Sequence, residues 1–244
     1  MSILEVNHVS IRYMTGDFKD IGLKEYVMRR LKNDYKVVEF WADRDVTFSL
    51  EEGDMLGIIG TNGAGKSTLL KAISGIMEPT KGKVIRRGTI AALLELGSGF
   101  DGDLTVRENT YLRGAMLGYT RKFMDETYDQ IIEFAELKEF QDRPFKQLSS
   151  GMKSRLAFSI ASLVKPDILI LDEPTAALDP IAEYQLNHAM LTATKDKTVI
   201  FISHRLSTTR IADRIIMLEG GKIIEQGSHE ELLSQNGKYA QMWK

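Results

Sequence analysis

Short apolar runs alternate with longer amphipathic stretches along this chain. Short apolar runs bounded by turn residues predict strands, and apolar positions three or four residues apart predict helices. The strand candidates are Leu4–Tyr13, Val46–Leu50, Met55–Gly60, Thr89–Glu95, Ile168–Leu171, Thr198–Ser203, Arg214–Leu218 and Lys222–Glu225. The helix candidates are Lys66–Ser74, Val106–Leu117, Lys122–Ala135, Ser150–Val164, Ala182–Ala193 and His229–Ser234. This alternation predicts an α/β fold.

The composition narrows the classes of protein to which this chain can belong. Of its 244 residues, 43% are hydrophobic and 27% are charged, and the net charge of −2 does not indicate a nucleic-acid partner. The absence of cysteine excludes disulfides, cysteine-ligated zinc and thiol catalysis. No apolar run approaches the roughly 18 residues that span a bilayer, and Met1–Tyr13 lacks the layout of a signal peptide. We therefore expect a cytoplasmic protein that reaches any membrane through a partner.

A glycine-rich loop follows one of the predicted strands and leads into a predicted helix. It reads Gly60-Thr61-Asn62-Gly63-Ala64-Gly65-Lys66-Ser67, which matches the pattern G-x-x-x-x-G-K-[ST], and Thr68, which follows, is also counted among the predicted nucleotide contacts. Glycines allow backbone N–H groups to converge on phosphate oxygens, and the helix N-terminus adds its positive dipole end. Lys66 is predicted to reach the β- and γ-phosphates of a nucleotide, and Ser67 is predicted to ligate Mg²⁺. The alternative is a plain glycine-rich turn between strand and helix.

An acidic pair ends another predicted strand, well downstream of the loop. The strand Ile168–Leu171 is aliphatic throughout, which is typical of a strand buried on both faces. Asp172 at its carboxyl end is predicted to face Mg²⁺ through water, and Glu173 is predicted to activate the attacking water as general base. Because many buried strands end in an acid, this pair gains its meaning from the phosphate loop upstream.

A third segment, Leu148–Met152, precedes the predicted helix that leads into the acidic strand. With the two motifs above, it resembles the nucleotide-binding subunits of ABC transporters, whose signature reads Leu-Ser-Gly-Gly-Gln. Ser149 and Gly151 keep the positions that contact phosphate in this family, whereas Ser150 and Met152 depart from the signature; we count Ser150 among the predicted nucleotide contacts. The alternative for either serine is a plain helix N-cap, and the two roles are compatible because a capped N-terminus is itself an anion site.

The resemblance extends over nearly the whole chain and implies further roles. Asp179 resembles the residue of the D-loop that couples the two sites of a dimer. His204 follows another apolar strand and resembles the switch histidine that touches the γ-phosphate, although an isolated histidine is more often structural. Tyr13 follows the first strand, where the family places an aromatic ring on adenine. Phe40 and Trp41 are rivals for this position, and each of the three could instead be a core or rim aromatic.

The resemblance also implies a fold and a working cycle. The fold is a P-loop NTPase core, with a mostly parallel sheet flanked by helices, an N-terminal antiparallel β portion and an α-helical signature lobe. Each ATP lies between the P-loop of one cassette and the signature of another, so one cassette per chain implies a homodimer. ATP binding closes the dimer, hydrolysis reopens it, and a separate membrane-spanning permease converts the cycle into transport. Lys66, His204, Mg²⁺ and the opposite signature serine neutralise charge while water attacks the γ-phosphate in line.

Two segments indicate a branch of the family. Glu95, within Leu93–Phe100, stands where most ABC cassettes have a glutamine that touches Mg²⁺. This run, like the signature segment, resembles exporters of O-antigen, teichoic acid and related polysaccharides. Residues 17–36 form a charged insertion between two predicted strands, and the apolar positions of Ile21–Lys32 recur at helical spacing. A basic amphipathic helix can lie at a membrane surface, although a surface helix packed on the core is the commoner case.

The C-terminal third resembles a different branch. The segments Asp172–Pro180, Ser203–Arg210 and Gly221–Gly227 resemble cassettes of lipid, peptide and drug exporters, so the chain reads as a mosaic with a seam near Leu171–Pro174. We predict the ATPase subunit of an exporter of polysaccharide or lipid-linked glycan. The alternatives are the cassette of a lipid, peptide or drug exporter, and a soluble ABC ATPase without a transport role.

The expected organisation is a single nucleotide-binding domain over residues 1–244. It contains the inserted amphipathic helix at 17–36 and a helical lobe at 97–165. The expected ligands are ATP and Mg²⁺, the expected partners are a second copy and a permease, and no nucleic acid is expected. The expected location is the cytoplasmic, inner face of the cell membrane.

Overall fold

The computed structural model describes residues 2–15, 38–93, 99–163, 166–172, 197–203 and 206–243. These ranges contain nine strands, namely β1 Leu4–Thr15, β2 Val38–Leu50, β3 Met55–Gly60, β4 Lys81–Arg86, β5 Ile90–Leu93, β6 Ile168–Asp172, β7 Thr198–Ile202, β8 Arg214–Glu219 and β9 Lys222–Gly227. They also contain seven α-helices, namely α1 Lys66–Ile73, α2 Val106–Met116, α3 Arg121–Phe134, α4 Ser150–Leu163, α5 Leu206–Thr209, α6 His229–Ser234 and α7 Lys238–Met242. Short 3₁₀ helices cover Lys138–Phe140 and Phe145–Gln147.

The strands form two sheets. The smaller is antiparallel, with the order β2-β1-β4. The larger has the order β5-β6-β7-β3-β8-β9, and its neighbours are parallel except for β9, which pairs antiparallel with β8. Strand β3 is therefore central, with β7 on one side and β8 on the other. All six residues of β3 are buried, as expected for a strand in the middle of a parallel sheet that is covered on both faces.

The larger sheet is buried on both faces. Because successive side chains of a strand point to opposite sides, each strand contributes to two cores. On β3, Leu56 and Ile58 join one core with α1 and the smaller sheet. Met55 and Ile59 of the same strand join a second core on the other face, with Phe158 of α4. The smaller sheet and α1 therefore cover one face of the larger sheet, and α4 lies on the other.

A third core belongs to the helical segment between β5 and β6. It is formed by α2, α3 and the start of α4, and it includes Val106, Met124, Ile131 and Leu156. Thr105 begins α2 with a capping box, in which its side chain accepts from the backbone N–H of Glu108 and the Glu108 side chain reaches back. Since α4 contributes to this core and to the sheet core, it links the helical segment to the sheet.

The predicted α/β class is confirmed, and the predicted strands and helices that lie within the described residues are present with ends that shift by a few residues. Strand β2 was predicted too short, and strand β4 and helices α5 and α7 were not predicted. Strand β2 begins at Val38 and not at Val46. Residues 38–45 mix apolar and charged side chains and are mostly exposed at an edge of the small sheet, so no apolar run marks them as a strand. Strand β4 reads as polar because its residues are exposed or half-buried. The predicted helix Ala182–Ala193 lies outside the described residues.

The insertion predicted at residues 17–36 also lies outside the described residues. Its flanks are described: β1 and β2 pair antiparallel up to the partners Thr15 and Val38. Residues 16–37 thus connect two strands whose adjoining ends are neighbours. Among the described residues, no helix is both long enough and apolar enough to cross a bilayer.

Candidate functional site

The carboxyl ends of the parallel strands meet at one edge of the larger sheet. Ile58 of β3 and Asp172 of β6 both pair with Ile202 of the intervening β7, so these three residues lie in one row. Because neighbouring strands are about 4.8 Å apart, Asp172 lies roughly 10 Å across the sheet from Ile58. The phosphate loop begins where β3 ends, and Ser203 follows Ile202. Ligands of open α/β sheets bind at this kind of edge.

The phosphate loop ends in an open helix N-terminus. Gly65 is the N-cap of α1, with a φ of 107° that favours glycine, and it makes no side-chain cap bond. The first turn of α1 also contains no acidic residue. The backbone N–H groups of such a helix start can donate to an anion, which makes this turn a candidate phosphate site.

Lys66 is held by the loop itself. Its Nζ atom donates hydrogen bonds to the backbone carbonyl oxygens of Gly60, at 2.9 Å, and of Thr61, at 3.0 Å. The side chain is only 6% exposed. The ammonium group is therefore already positioned at the loop, as a phosphate-binding lysine requires.

A cavity of about 370 Å³ opens beside the loop. One wall is the loop itself, and the opposite wall consists of Tyr13, Phe40 and Ala42; the loop residues in the lining are Asn62, Gly63, Ala64, Gly65, Lys66, Ser67 and Thr68. Tyr13 and Phe40 are 37% and 54% exposed, which is high for aromatic residues. A phosphate-binding loop facing two accessible aromatic rings suits a ligand with both phosphates and a planar base.

The sheet register separates the three aromatic candidates for base stacking. Tyr13 pairs with Phe40, and the neighbouring Arg12 pairs with Trp41. Because adjacent residues of a strand point to opposite faces, Trp41 turns away from the face that carries Tyr13 and Phe40. Its ring lies under the Arg12 guanidinium, 5.5 Å from the ring centroid, and under the Lys81 ammonium at 5.6 Å. Trp41 does not line the cavity, so Tyr13 and Phe40 remain as candidates.

Several predicted site residues follow strands that end at this same edge. Glu95 comes soon after Leu93, which pairs with Leu171 of β6, and His204 comes directly after Ser203. Glu173 follows Asp172, the last residue of β6. Glu95, Glu173, Asp179 and His204 themselves lie outside the described residues, so their predicted roles stay predictions.

The signature segment lies at the start of α4. The Ser149 hydroxyl accepts a hydrogen bond from the backbone N–H of Met152 at 3.2 Å, so Ser149 caps the helix. Ser149 and Ser150 are exposed, whereas Gly151 is buried. None of the three lines the cavity beside the phosphate loop. The structure thus brings Tyr13 and the loop together and leaves the signature serines at a separate surface.

Comparisons with known proteins identify the family. The sequence profile described as "ABC transporter" matches residues 44–176. The O-antigen export system ATP-binding protein RfbB of Klebsiella pneumoniae is 38% identical over 235 residues, covering 95% of this chain and 96% of RfbB. The teichoic acids export ATP-binding protein TagH of Listeria innocua is 36% identical over 234 residues, covering 95% of this chain and 69% of TagH.

The chain belongs to the ABC transporter family. It is an ATP-binding and ATP-hydrolysing member of that family. The fold agrees with that of the ATP-binding cassette MJ0796, solved as a dimer in a post-hydrolysis state bound to ADP and Pi. The TM-score is 0.72 at 24% identity, over 92% of this chain and 98% of MJ0796. The predicted P-loop NTPase fold is therefore confirmed.

One residue of this ABC ATPase lies against the phosphate loop and was missed by sequence reasoning. Asp43 of β2 has no exposed surface, and neither carboxyl oxygen has a hydrogen-bond partner within the described ranges. A Cβ atom on Gly65 would come within 2.2 Å of Asp43 Oδ1, so the carboxyl group packs directly on the loop. The run Asp43-Arg44-Asp45 carries no sequence signal for burial, because charged residues are usually exposed.

Burial raises the pKa of Asp43 from its usual 3.8 to about 7. Between these two values the folded protein binds more protons than the unfolded chain, so the free energy of unfolding decreases as the pH rises through this window. Below about pH 4 the Asp43 carboxyl is neutral in both the folded and the unfolded state, so it does not change the free energy of unfolding. Above about pH 7 it is ionised in both states, and its burial then lowers the free energy of unfolding by the full amount.

The loop packing predicts that two glycines of the phosphate loop respond differently to alanine. Gly65→Ala places a Cβ atom 2.6 Å from the backbone oxygen of Ala42, which cannot move aside alone. We expect this variant to lose several kcal/mol of unfolding free energy and to lose ATP binding. Gly63→Ala is the control, because its φ of 79° is also positive but nothing lies within 4 Å of the added Cβ. It should cost only about 1 kcal/mol.

Denaturant unfolding without nucleotide and titration with a fluorescent ATP analogue measure the two effects. Equal destabilisation by Gly63→Ala and Gly65→Ala would show that backbone strain alone, and not the contact with β2, restricts the loop.

The cavity wall predicts which aromatic rings support the base. Tyr13→Ala and Phe40→Ala should each be tested, and at least one should weaken ATP binding about tenfold, because stacking of one base contributes about 1–3 kcal/mol. Trp41→Ala is the matched control from the opposite face of the sheet, and it should leave ATP affinity unchanged. Fluorescence titration measures all three variants. A loss of affinity confined to Trp41→Ala would contradict the assignment.

Proposed function

We propose that this ABC ATPase powers export of a polysaccharide or a lipid-linked glycan. The observation that carries the proposal is the match to RfbB of Klebsiella pneumoniae, an O-antigen export ATP-binding protein, over 95% of this chain and 96% of RfbB. The match includes the C-terminal third, where the sequence segments resemble lipid, peptide and drug exporters. TagH of Listeria innocua, a teichoic acids export protein, matches the same share of the chain. Both relatives are named for the export of cell-surface glycans.

The working unit of this proposal is a homodimer with two shared ATP sites. The signature serines are exposed and do not line the cavity of their own phosphate loop. Ser149, Ser150 and Gly151 would therefore contact the nucleotide of a second copy, with Asp179 connecting the two sites. The dimeric state of MJ0796, whose fold this chain shares, supports this arrangement.

Hydrolysis in this proposal depends on groups collected at the edge of the sheet. The Lys66 ammonium, already placed at the loop, neutralises the β- and γ-phosphates, and His204 contacts the γ-phosphate. Glu173 accepts a proton from the attacking water. The α1 N-terminus donates its first-turn N–H groups to the phosphates.

The residues at this edge fit Mg²⁺ bound together with nucleotide. No group of three His, Asp, Glu or Cys side chains suited to a metal occurs within the described ranges. Mg²⁺ commonly takes only one or two protein ligands and fills its other positions with phosphate oxygens and water. Ser67, Asp172 and Glu95 would hold the ion, which would supply charge neutralisation at the phosphates.

A permease would complete the exporter. This subunit would lie at the cytoplasmic face of the membrane and bind a separate membrane-spanning protein. The names of RfbB and TagH, which describe ATP-binding proteins of export, support this role. The insertion at residues 17–36, predicted as a basic amphipathic helix, would lie between β1 and β2 near that surface.

Shared ATP sites predict dimerisation that depends on nucleotide. Glu173→Gln should be a monomer without nucleotide and a dimer with ATP and Mg²⁺, because loss of the general base traps the closed state. Light scattering measures the molar mass. Glu173→Gln/Ser149→Arg is the matched control: it should still bind ATP but remain monomeric, because the arginine obstructs the phosphate of the opposite site. Equal dimerisation of both proteins would contradict a site shared between Lys66 and Ser149.

Glycan export predicts a defect at the cell surface. Glu173→Gln, introduced into the native gene, should halt transport and leave the surface glycan largely absent while lipid-linked glycan accumulates inside the cell. Staining of surface polysaccharide and analysis of extracted lipid-linked intermediates measure both pools. Normal surface glycan together with altered sensitivity to peptides or drugs would instead support the branch predicted from the C-terminal third.

A further inference from the structure

The carboxyl group of Asp43 lies against the phosphate loop. Its carboxyl group packs against Gly65, the residue that begins α1. On its other side, the turn after β8 closes over it: a Cβ atom on Gly221 would lie 3.0 Å from the Asp43 Cα atom. Asp43 is therefore packed between two backbone segments, with its carboxyl group on the Gly65 side, and it has no exposed surface.

The charged groups on the elements around Asp43 do not neutralise it. Within its own strand, Arg44 is exposed and Asp45 contacts His8. On β1, the Arg12 guanidinium donates a hydrogen bond to the Glu39 carboxylate. Lys222, which follows the turn over Asp43, is exposed. On the loop, the Lys66 ammonium bonds to loop carbonyls. Neither oxygen of Asp43 has a hydrogen-bond partner within the described residues, so burial determines its protonation.

A phosphate at the α1 N-terminus would add negative charge close to this carboxyl group. Two like charges separated by a thin layer of buried backbone repel strongly, since little water screens them. The neutral form of Asp43 avoids this repulsion. The two equilibria are linked. If protonation of Asp43 raises the affinity for phosphate by a given factor, bound phosphate raises the proton affinity of Asp43 by the same factor.

We propose that Asp43 is a positioning residue of the phosphate loop that takes up a proton when nucleotide phosphate binds beside Gly65. Nucleotide affinity then decreases as the pH rises, because ionised Asp43 opposes the phosphate. The proposal rests on the nucleotide site proposed above. It adds to that site the uptake of a proton with the nucleotide, by a residue that contacts the loop and not the nucleotide.

Calorimetric titration with ADP and Mg²⁺ tests the proposal without hydrolysis or a γ-phosphate. In buffers of different ionisation enthalpy at about pH 7.5, the wild-type protein should take up about half a proton per ADP. Its affinity should fall about fivefold from about pH 6 to pH 8. Asp43→Asn, a neutral side chain of similar shape, should bind ADP with little proton uptake and a flat pH profile. Asp45→Asn, an exposed neighbour in the same strand, should behave as wild type.

Equal proton uptake and equal pH profiles in wild type and Asp43→Asn would overturn the proposal. Absence of ADP binding in the wild-type protein would instead count against the nucleotide site itself, so the two failures are distinguishable. A merely structural role for Asp43 would change affinity by the same factor at every pH.

A measurement on the wild-type protein guards against misfolding of Asp43→Asn. With aspartate labelled at the side-chain carboxyl carbon, NMR should show one aspartate that titrates near pH 7, far above the usual range. Its midpoint should move to higher pH when ADP and Mg²⁺ are added. An unchanged midpoint in the presence of bound ADP would overturn the proposal.

Discussion

Strand β2 packs on the phosphate loop through the backbone of Ala42 and the side chain of Asp43, and the loop contributes no side chain to this contact because its residue there is Gly65. The backbone N–H of Arg44 donates to Gly221, and the N–H of Gly221 donates to the carbonyl oxygen of Ala64 within the loop. This chain of bonds connects the small antiparallel sheet, the turn after β8 and the phosphate loop. Side chains at Gly65 or Gly221 would collide with Ala42, so the contact depends on glycine at both positions.

The contact determines where the candidate nucleotide site is formed. It brings Tyr13 and Phe40, which belong to the small sheet, opposite a loop that belongs to the large sheet. The base-stacking wall and the phosphate-binding wall of one cavity therefore come from different sheets. The buried core between the sheets, with Leu56 and Ile58 on one side and Leu4 and Val6 on the other, maintains their separation.

The same contact has a cost, because it buries a carboxyl group next to an anion site. Asp43 has lost its water without gaining a hydrogen-bond partner among the described residues, which raises its pKa to about 7. An ATPase of this family thus contains, next to its phosphate loop, a group whose charge changes near neutral pH. The signature serines, in contrast, lie at an exposed helix start.

The sequence by itself determined the α/β class, the presence of strand β3, the phosphate loop and the acidic end of β6. These features follow from local patterns: apolar runs, glycine spacing and a lysine at a helix start. It also indicated the family, because several motifs occur in the expected order along one chain. Strand β4 and the first half of β2, whose residues are mostly exposed or half-buried, were not predicted, because pairing with β1 and not an apolar pattern holds them in the sheet.

Only the tertiary structure decided which aromatic rings face the loop and where Asp43 lies. Tyr13, Phe40 and Trp41 are all aromatic, and the sequence does not distinguish which of them stacks on a base. The antiparallel register places Trp41 on the opposite face of the sheet from Tyr13 and Phe40. Asp43 reads as a surface residue because its neighbours are charged, and its burial results from contacts with Gly65 and Gly221, both distant in sequence. Local patterns report a residue's own strand or helix, whereas a residue's environment is set by the segments that fold against it.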